Sequence, residues 1–143
     1  VAGERLVIAF LAQTPDELTM SKKILFVDDE KDWLFMVETY LKEAGYDTLT
    51  AKNGSEALRV THGVKLDVII IDVNLAGENG VVLMGFLQRN HPNVPIILYT
   101  GMTHDEAVVQ DMLKQGAHQY LRKTTINDLL KAVQDAEKGS PAS

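Results

Sequence analysis

Five short apolar runs rich in β-branched residues alternate with segments of helical spacing along this chain, and that alternation leaves few folds open. The runs are Ile24–Val27, Tyr46–Ala51, Leu66–Ile71, Ile96–Tyr99 and Gln119–Leu121. Between the first two, Trp33, Val37, Tyr40, Leu41 and Ala44 recur at helical spacing. Val82, Leu83, Phe86 and Leu87 form a second stripe, Val108, Met112 and Leu113 a third, and Ile126, Leu129, Leu130 and Val133 a fourth. Ser55 to Thr61, with Ala57 and Leu58, is a shorter helical segment. Gly45 and Gly116 stand where helices should stop. Pro92 and Pro95 block helix continuation before the fourth run. Asn53, Asp105 and Thr125 are the expected N-caps. Val68–Ile71 and Ile96–Leu98 are apolar without alternation, as in strands covered on both faces. Right-handed crossovers then give an α/β fold, (βα)5, a doubly wound parallel five-stranded sheet with helices on both sides.

The length of 143 residues suits one domain. Residues 21–138 are expected to form it, with 1–20 an N-terminal extension outside the core and 139–143 a flexible tail. Leu6–Ala12 is an apolar run at the short limit for a signal peptide. Met20, just before Ser21-Lys22-Lys23, reads as a natural start with upstream sequence before it; a short extra helix packed on a neighbour is the alternative. A net charge of −6 argues against direct nucleic-acid binding, which needs an excess of Lys and Arg. The absence of cysteine excludes disulfides, thiol catalysis and Cys-ligated metals, and fits a cytoplasmic protein. No apolar run approaches the roughly 20 residues needed to span a bilayer.

In open sheets of this kind ligands bind beyond the carboxyl ends of the strands. There the first run is followed by Asp28-Asp29, the third by Asp72, the fourth by Thr100 and the fifth by Lys123. Any one of these acids could be a structural cap; the conjunction at four strand ends is harder to explain that way. At about 4 Å and an effective dielectric of about 20, each carboxylate pair costs roughly 4 kcal/mol. Such a cluster calls for a cation, raised pKa values, or both. Oxygen ligands suit Mg²⁺, which keeps waters and leaves room for a phosphate oxygen. Asp72 is then a candidate carboxylate nucleophile, with Lys123 offsetting phosphoryl charge.

These residues sit in motifs that resemble the receiver domain of bacterial two-component response regulators, from Lys23 to about Lys138. The motifs are Ile24-Leu25-Phe26-Val27-Asp28-Asp29-Glu30, Ala51-Lys52-Asn53-Gly54-Ser55-Glu56-Ala57-Leu58, Asp67-Val68-Ile69-Ile70-Ile71-Asp72 and Gly77-Glu78-Asn79-Gly80. Ile96-Ile97-Leu98-Tyr99-Thr100-Gly101 and Gly116-Ala117-His118-Gln119-Tyr120-Leu121-Arg122-Lys123 complete the set. The resemblance implies a CheY-like, flavodoxin-like sheet of strand order 2-1-3-4-5. It implies that Asp72 accepts a phosphoryl group in a Mg²⁺-dependent reaction. Asp29 and Asp72 would ligate the metal, Asp28 largely through water, and Asn74 through its backbone carbonyl. Thr100 would bond the phosphoryl group, Lys123 would pair with it, and Tyr120 would turn with Thr100 as the aromatic switch. The donor would be a sensor histidine kinase or a histidine phosphotransfer protein. A downstream effector or output domain would read the switch at the fourth helix, fifth strand and fifth helix, with a homodimer left open. No membrane is involved, and the domain would act on no substrate but its own phosphoryl group.

Three positions depart from the family pattern. Thr124 stands where a Pro, commonly cis, usually follows the lysine; a cis bond before Thr would cost about 2.5–4 kcal/mol. Ala76 replaces a usual Pro and is expected to loosen its loop. Met102 is apolar and is expected to shield the phosphoryl group from water. Trp33 is read as core packing, with a place beside the site as the alternative; His104 and His118 are read as surface residues. A haloacid-dehalogenase-type phosphatase is a rival, but neither Asp28 nor Asp72 has the required Asp two positions on. A flavodoxin-like FMN protein would need a Gly- and hydroxyl-rich phosphate loop where Asp28-Asp29-Glu30 stands. A receiver that has lost its chemistry and serves only for docking remains the third alternative.

Overall fold

The computed structural model describes residues 21–138. The expectations for residues 1–20 and 139–143 lie outside the described residues. The elements run β1 (Lys23–Val27), α1 (Lys31–Glu43), β2 (Asp47–Ala51), α2 (Gly54–Val60), β3 (Val68–Asp72), β4 (Asn74–Leu75), β5 (Glu78–Asn79), α3 (Gly80–Asn90), β6 (Ile96–Thr100), α4 (Glu106–Lys114), β7 (Gln119–Arg122) and α5 (Ile126–Glu137). The five long strands form one parallel sheet of order 2-1-3-6-7. Setting aside the two-residue strands β4 and β5, which pair only with each other, this is the expected 2-1-3-4-5 arrangement.

Period-two alternation sends neighbouring strand residues to opposite faces. Ile24, Phe26, Val68, Ile70, Ile97 and Tyr99 pack under α1 and α5 with Val37, Leu41, Leu129 and Val133. Leu25, Val27, Ile69, Ile71 and Leu98 pack on the other face with Ala57, Leu83, Leu87 and Met112 from α2, α3 and α4. The central strands β3 and β6 are buried along their whole length, which is why they read as unbroken apolar runs. Tyr40 donates to Asn127, tying α1 to α5.

Caps and stripes differ in part from expectation. Asn53 and Thr125 cap α2 and α5 by accepting from Glu56 N and Asp128 N, while Asp105 occupies the N-cap of α4 without a side-chain bond. In α1 the buried face includes Leu34, absent from the expected stripe, and Ala44 is exposed. In α3 the core takes Leu83, Met84 and Leu87, leaving Val82 and Phe86 exposed. The reason is the partner: α2 is only seven residues long and leaves an open apolar groove of about 340 Å³ against α3, lined by Leu58, Val82 and Phe86.

Candidate functional site

The register delivers the acids to one edge. Val27 pairs with Ile71, so Asp28 and Asp72 leave β1 and β3 side by side. Asp72 itself pairs with Tyr99, which puts Thr100 one step beyond, and Thr100 pairs with Arg122, so Lys123 follows directly. Asp28 and Thr100 are fully buried, and Asp72 is 3% exposed. Gly80, at the start of α3, lies so close to β3 that a Cβ there would sit 2.2 Å from the Asp72 carbonyl oxygen.

Asp28, Asp29 and Asp72 each offer a carboxylate oxygen within 4.8 Å of the others. Lys123 Nζ stands 2.6 Å from Asp28 Oδ2, 3.3 Å from Asp72 Oδ2 and 3.4 Å from Glu30 Oε1. The second oxygens are held by backbone: Asp72 Oδ1 accepts from Asn74 N at 3.0 Å and Asp28 Oδ1 from Glu30 N at 2.9 Å. One ammonium among four carboxylates leaves the edge negative, and a set of hard oxygens this close together fits a small divalent cation.

Burial raises Asp28 and Asp72 above the ordinary carboxylate range, against the lowering effect of Lys123 and of backbone N–H donors. Burial also works to lower Lys123, but Asp28 and Asp72 outweigh it and hold the ammonium above its usual value. The pocket therefore keeps its cation charged while its two buried acids resist full ionisation.

Thr100 Oγ1 accepts from Asn74 Nδ2 at 3.0 Å and from Met102 N at 3.1 Å. A hydroxyl has two acceptor sites and one proton. With both acceptor sites taken, Thr100 is left to donate, as a phosphoryl oxygen requires. The Asn74 side chain thus has a task beyond the backbone role that the resemblance implies. No spacing rule links Asn74 to Thr100; they meet because β3 and β6 are neighbours. Nor does any motif in the sequence set Glu30 beside Lys123.

Ala76 gives its loop a bond to the site. Its N–H donates to Asp29 Oδ2 at 3.0 Å, a bond that proline could not make, and β4 and β5 close the loop as a hairpin turning at Gly77. No described peptide bond is cis, so Lys123–Thr124 is trans. Met102 is 57% exposed, and it is its backbone N–H that joins the site. Trp33 is half-buried and stacks on Tyr99, centroids 6.0 Å apart and 7° from parallel, with Lys123 Nζ 5.5 Å from its ring centre. It is packing and site wall at once. His104 is no bystander on the surface: its Nδ1 meets the Tyr120 hydroxyl at 2.7 Å. His118 is half-buried.

Residues 24–134 match the sequence model of the response regulator receiver domain. The chain is 33% identical over 129 residues to the alkaline phosphatase synthesis transcriptional regulatory protein PhoP of Bacillus subtilis, covering 87% of this chain and 53% of PhoP. It spans about half the length of that relative, and 27% of the transcriptional regulatory protein GlrR of Escherichia coli, to which it is 32% identical over 84% of this chain. Among solved structures, the chemotaxis response regulator CheY4 of Vibrio cholerae superimposes with a TM-score of 0.73 at 33% identity, covering 81% of this chain and 98% of that one.

Proposed function

The chain belongs to the response regulator receiver domain family of two-component signalling, and from that premise we propose that it accepts a phosphoryl group on Asp72 in a Mg²⁺-dependent reaction. The observation that carries this reading is the Asp72 carboxylate itself, 3.3 Å from Lys123 Nζ and within 4.8 Å of oxygens from Asp28 and Asp29. Asp28, Asp29, Asp72 and the Asn74 carbonyl would hold Mg²⁺, which supplies charge neutralisation to phosphoryl oxygens when bound. The donor is a phosphohistidine of a sensor kinase or a phosphotransfer protein. An Asp72 oxygen bonds to phosphorus as the P–N bond to the donor imidazole breaks. The bonding pair leaves with that nitrogen, and the product is a mixed anhydride on Asp72. Lys123 follows the new charge with its ammonium, and the Thr100 hydroxyl donates to a phosphoryl oxygen. Water later takes the phosphoryl group from Asp72, so the domain catalyses only its own loading and unloading.

Thr100, in turning to the phosphoryl group, donates its proton, gives up its bond to the Asn74 side chain and draws Met102 N–H along with its oxygen, and Tyr120 follows as the switch. The α4–β7–α5 face is where an effector, an output domain or a second copy would read the change. Among the described residues no helix is long and apolar enough to cross a membrane, and we place the domain in the cytoplasm with its kinase. The test is treatment with acetyl phosphate and Mg²⁺, read by intact mass. Wild type should gain a phosphoryl group and Asp72→Asn should not. Gain in neither would reduce the domain to a docking module.

A further inference from the structure

The loop between β6 and α4 ties Thr100 to Tyr120 through its own backbone. Met102 N–H donates to Thr100 Oγ1 at 3.1 Å, and the Met102 carbonyl accepts from the Tyr120 hydroxyl at 3.2 Å. On its other side that hydroxyl meets His104 Nδ1 at 2.7 Å, and the two rings stand edge to face, centroids 5.6 Å apart at 87°. His104 and Tyr120 are both half-buried. A phenol has one proton to donate. Given to the Met102 carbonyl, it leaves the phenol oxygen as an acceptor, and Nδ1 must then be the donor. Given to His104, it frees the Met102 carbonyl, and the loop loses its hold on the ring. The state of Nδ1 thus sets which neighbour Tyr120 is tied to.

We propose that His104 is a positioning residue for the Tyr120 switch: by donating from Nδ1 it keeps the Tyr120 hydroxyl on the Met102 carbonyl, so that movement of Thr100 is carried through the loop backbone to the ring. The inference rests on the reading of Asp72 as acceptor and of Thr100 and Tyr120 as switch. His104 makes no hydrogen bond to Asp28, Asp29, Asp72 or Lys123 and takes no part in the transfer. Without it Tyr120 keeps only its 3.2 Å bond to the Met102 carbonyl and loses its edge partner, so the ring is held less firmly against that carbonyl and follows Thr100 less closely.

The test uses the full chain with ¹³C-labelled tyrosine, the Tyr120 ring signal being assigned with Tyr120→Phe. Wild type, His104→Ala and His104→Asn are compared at rest and after fluoroberyllate with Mg²⁺, and their phosphoryl uptake from acetyl phosphate is read by intact mass. An asparagine amide can donate near the position of Nδ1, so it serves as the conservative variant. All three should take up phosphoryl alike. In His104→Ala the resting Tyr120 signal should move and its fluoroberyllate shift should shrink; His104→Asn should restore both. A Tyr120 signal and shift in His104→Ala identical to wild type would overturn the inference, as would a loss that His104→Asn does not recover. If wild type itself takes up no phosphoryl group, the reading of Asp72 fails separately, and the resting signal alone then decides whether His104 positions the ring.

Discussion

Lys123 and the two buried acids beside it set the energetics of the resting site. Asp28 and Asp72 have folded-state pKa values raised above the unfolded value of 3.8, with burial the largest cause. A raised acid favours the native state while it is protonated. That contribution is full below the unfolded value and is lost as pH rises through the folded one. In chelator, then, these two groups should make wild type progressively less stable from about pH 4 toward neutrality. Asp72→Asn removes one of them, and its urea midpoint should exceed that of wild type at pH 7.5 and fall less steeply with pH. Parallel pH profiles for the two proteins would rule this out. Lys123→Met should do the opposite. Its side chain is 9% exposed and is paired with a fully buried Asp28. Removing one partner of a buried pair typically costs about 3–5 kcal/mol, so the variant should lose stability of that order at pH 7.5. It should lose less at pH 5, where the stranded acids can protonate. A loss independent of pH would mean that packing against Trp33 and Tyr99, not charge, is what Lys123 contributes.

At the scale of elements, the start of α3 sits directly on the end of β3, against the backbone of Asp72. Gly80 N–H donates to the Val73 carbonyl at 2.9 Å, and a Cβ on Gly80 would lie 2.2 Å from the Asp72 carbonyl oxygen and 2.8 Å from Val73 Cα. Those neighbours are backbone and cannot swing aside. Gly80→Ala should therefore push α3 off β3, destabilise the fold by about 1–3 kcal/mol as overpacking does, and slow phosphoryl uptake at Asp72. Gly85→Ala, in the interior of α3 with open space around the added methyl, is the control: it should stabilise the fold by about 0.5–1 kcal/mol and leave uptake unchanged. Equal behaviour of the two variants would show that α3 has slack at its start. This close contact was invisible in the sequence, where Gly80 was one letter of a motif. What was legible was whatever local chemistry fixes: strands β3 and β6 from their unbroken apolar runs, the ends of α1 and α4 from Gly45 and Gly116, and the acids from their place at the ends of β1 and β3. What was not legible depended on partners distant in the chain. Val82 and Phe86 carry helical spacing as good as that of Leu83 and Leu87, yet they line the open groove beside the seven-residue α2 and stay exposed. The Asn74 amide meets Thr100 because β6 lies beside β3, and the His104 ring meets Tyr120 because β7 lies beside β6, which no spacing in any one segment encodes.

For the whole molecule, the site exists only while the sheet does. Asp28 comes from the end of β1, Asp72 from the end of β3 and Lys123 from the end of β7, and unfolding scatters them. A cation held by Asp28, Asp29 and Asp72 would bind the native state and not the unfolded one, so it must stabilise the entire domain. At a concentration 100 times its dissociation constant the gain is about 2.7 kcal/mol. The sign is not trivial, because Lys123 already occupies the same acids at 2.6 Å and 3.3 Å. The net benefit is what remains after the cation has competed with an ammonium whose movement would be toward Glu30 Oε1, 3.4 Å away. Trp33, the chain's single tryptophan, lies beside Lys123 and gives an independent signal of that movement. Adding Mg²⁺ should change Trp33 fluorescence along a saturation curve. The unfolding free energy should rise with the same dissociation constant. Asp29→Asn should weaken both together, since Asp29 carries no ion pair with Lys123 and an asparagine oxygen can still accept from Ala76 N–H. Calcium should act in the same direction, and a monovalent salt at equal ionic strength should not. A rise in stability without the fluorescence change, or one that survives Asp29→Asn, would place the cation elsewhere on a surface whose net charge of −6 attracts cations without a built site.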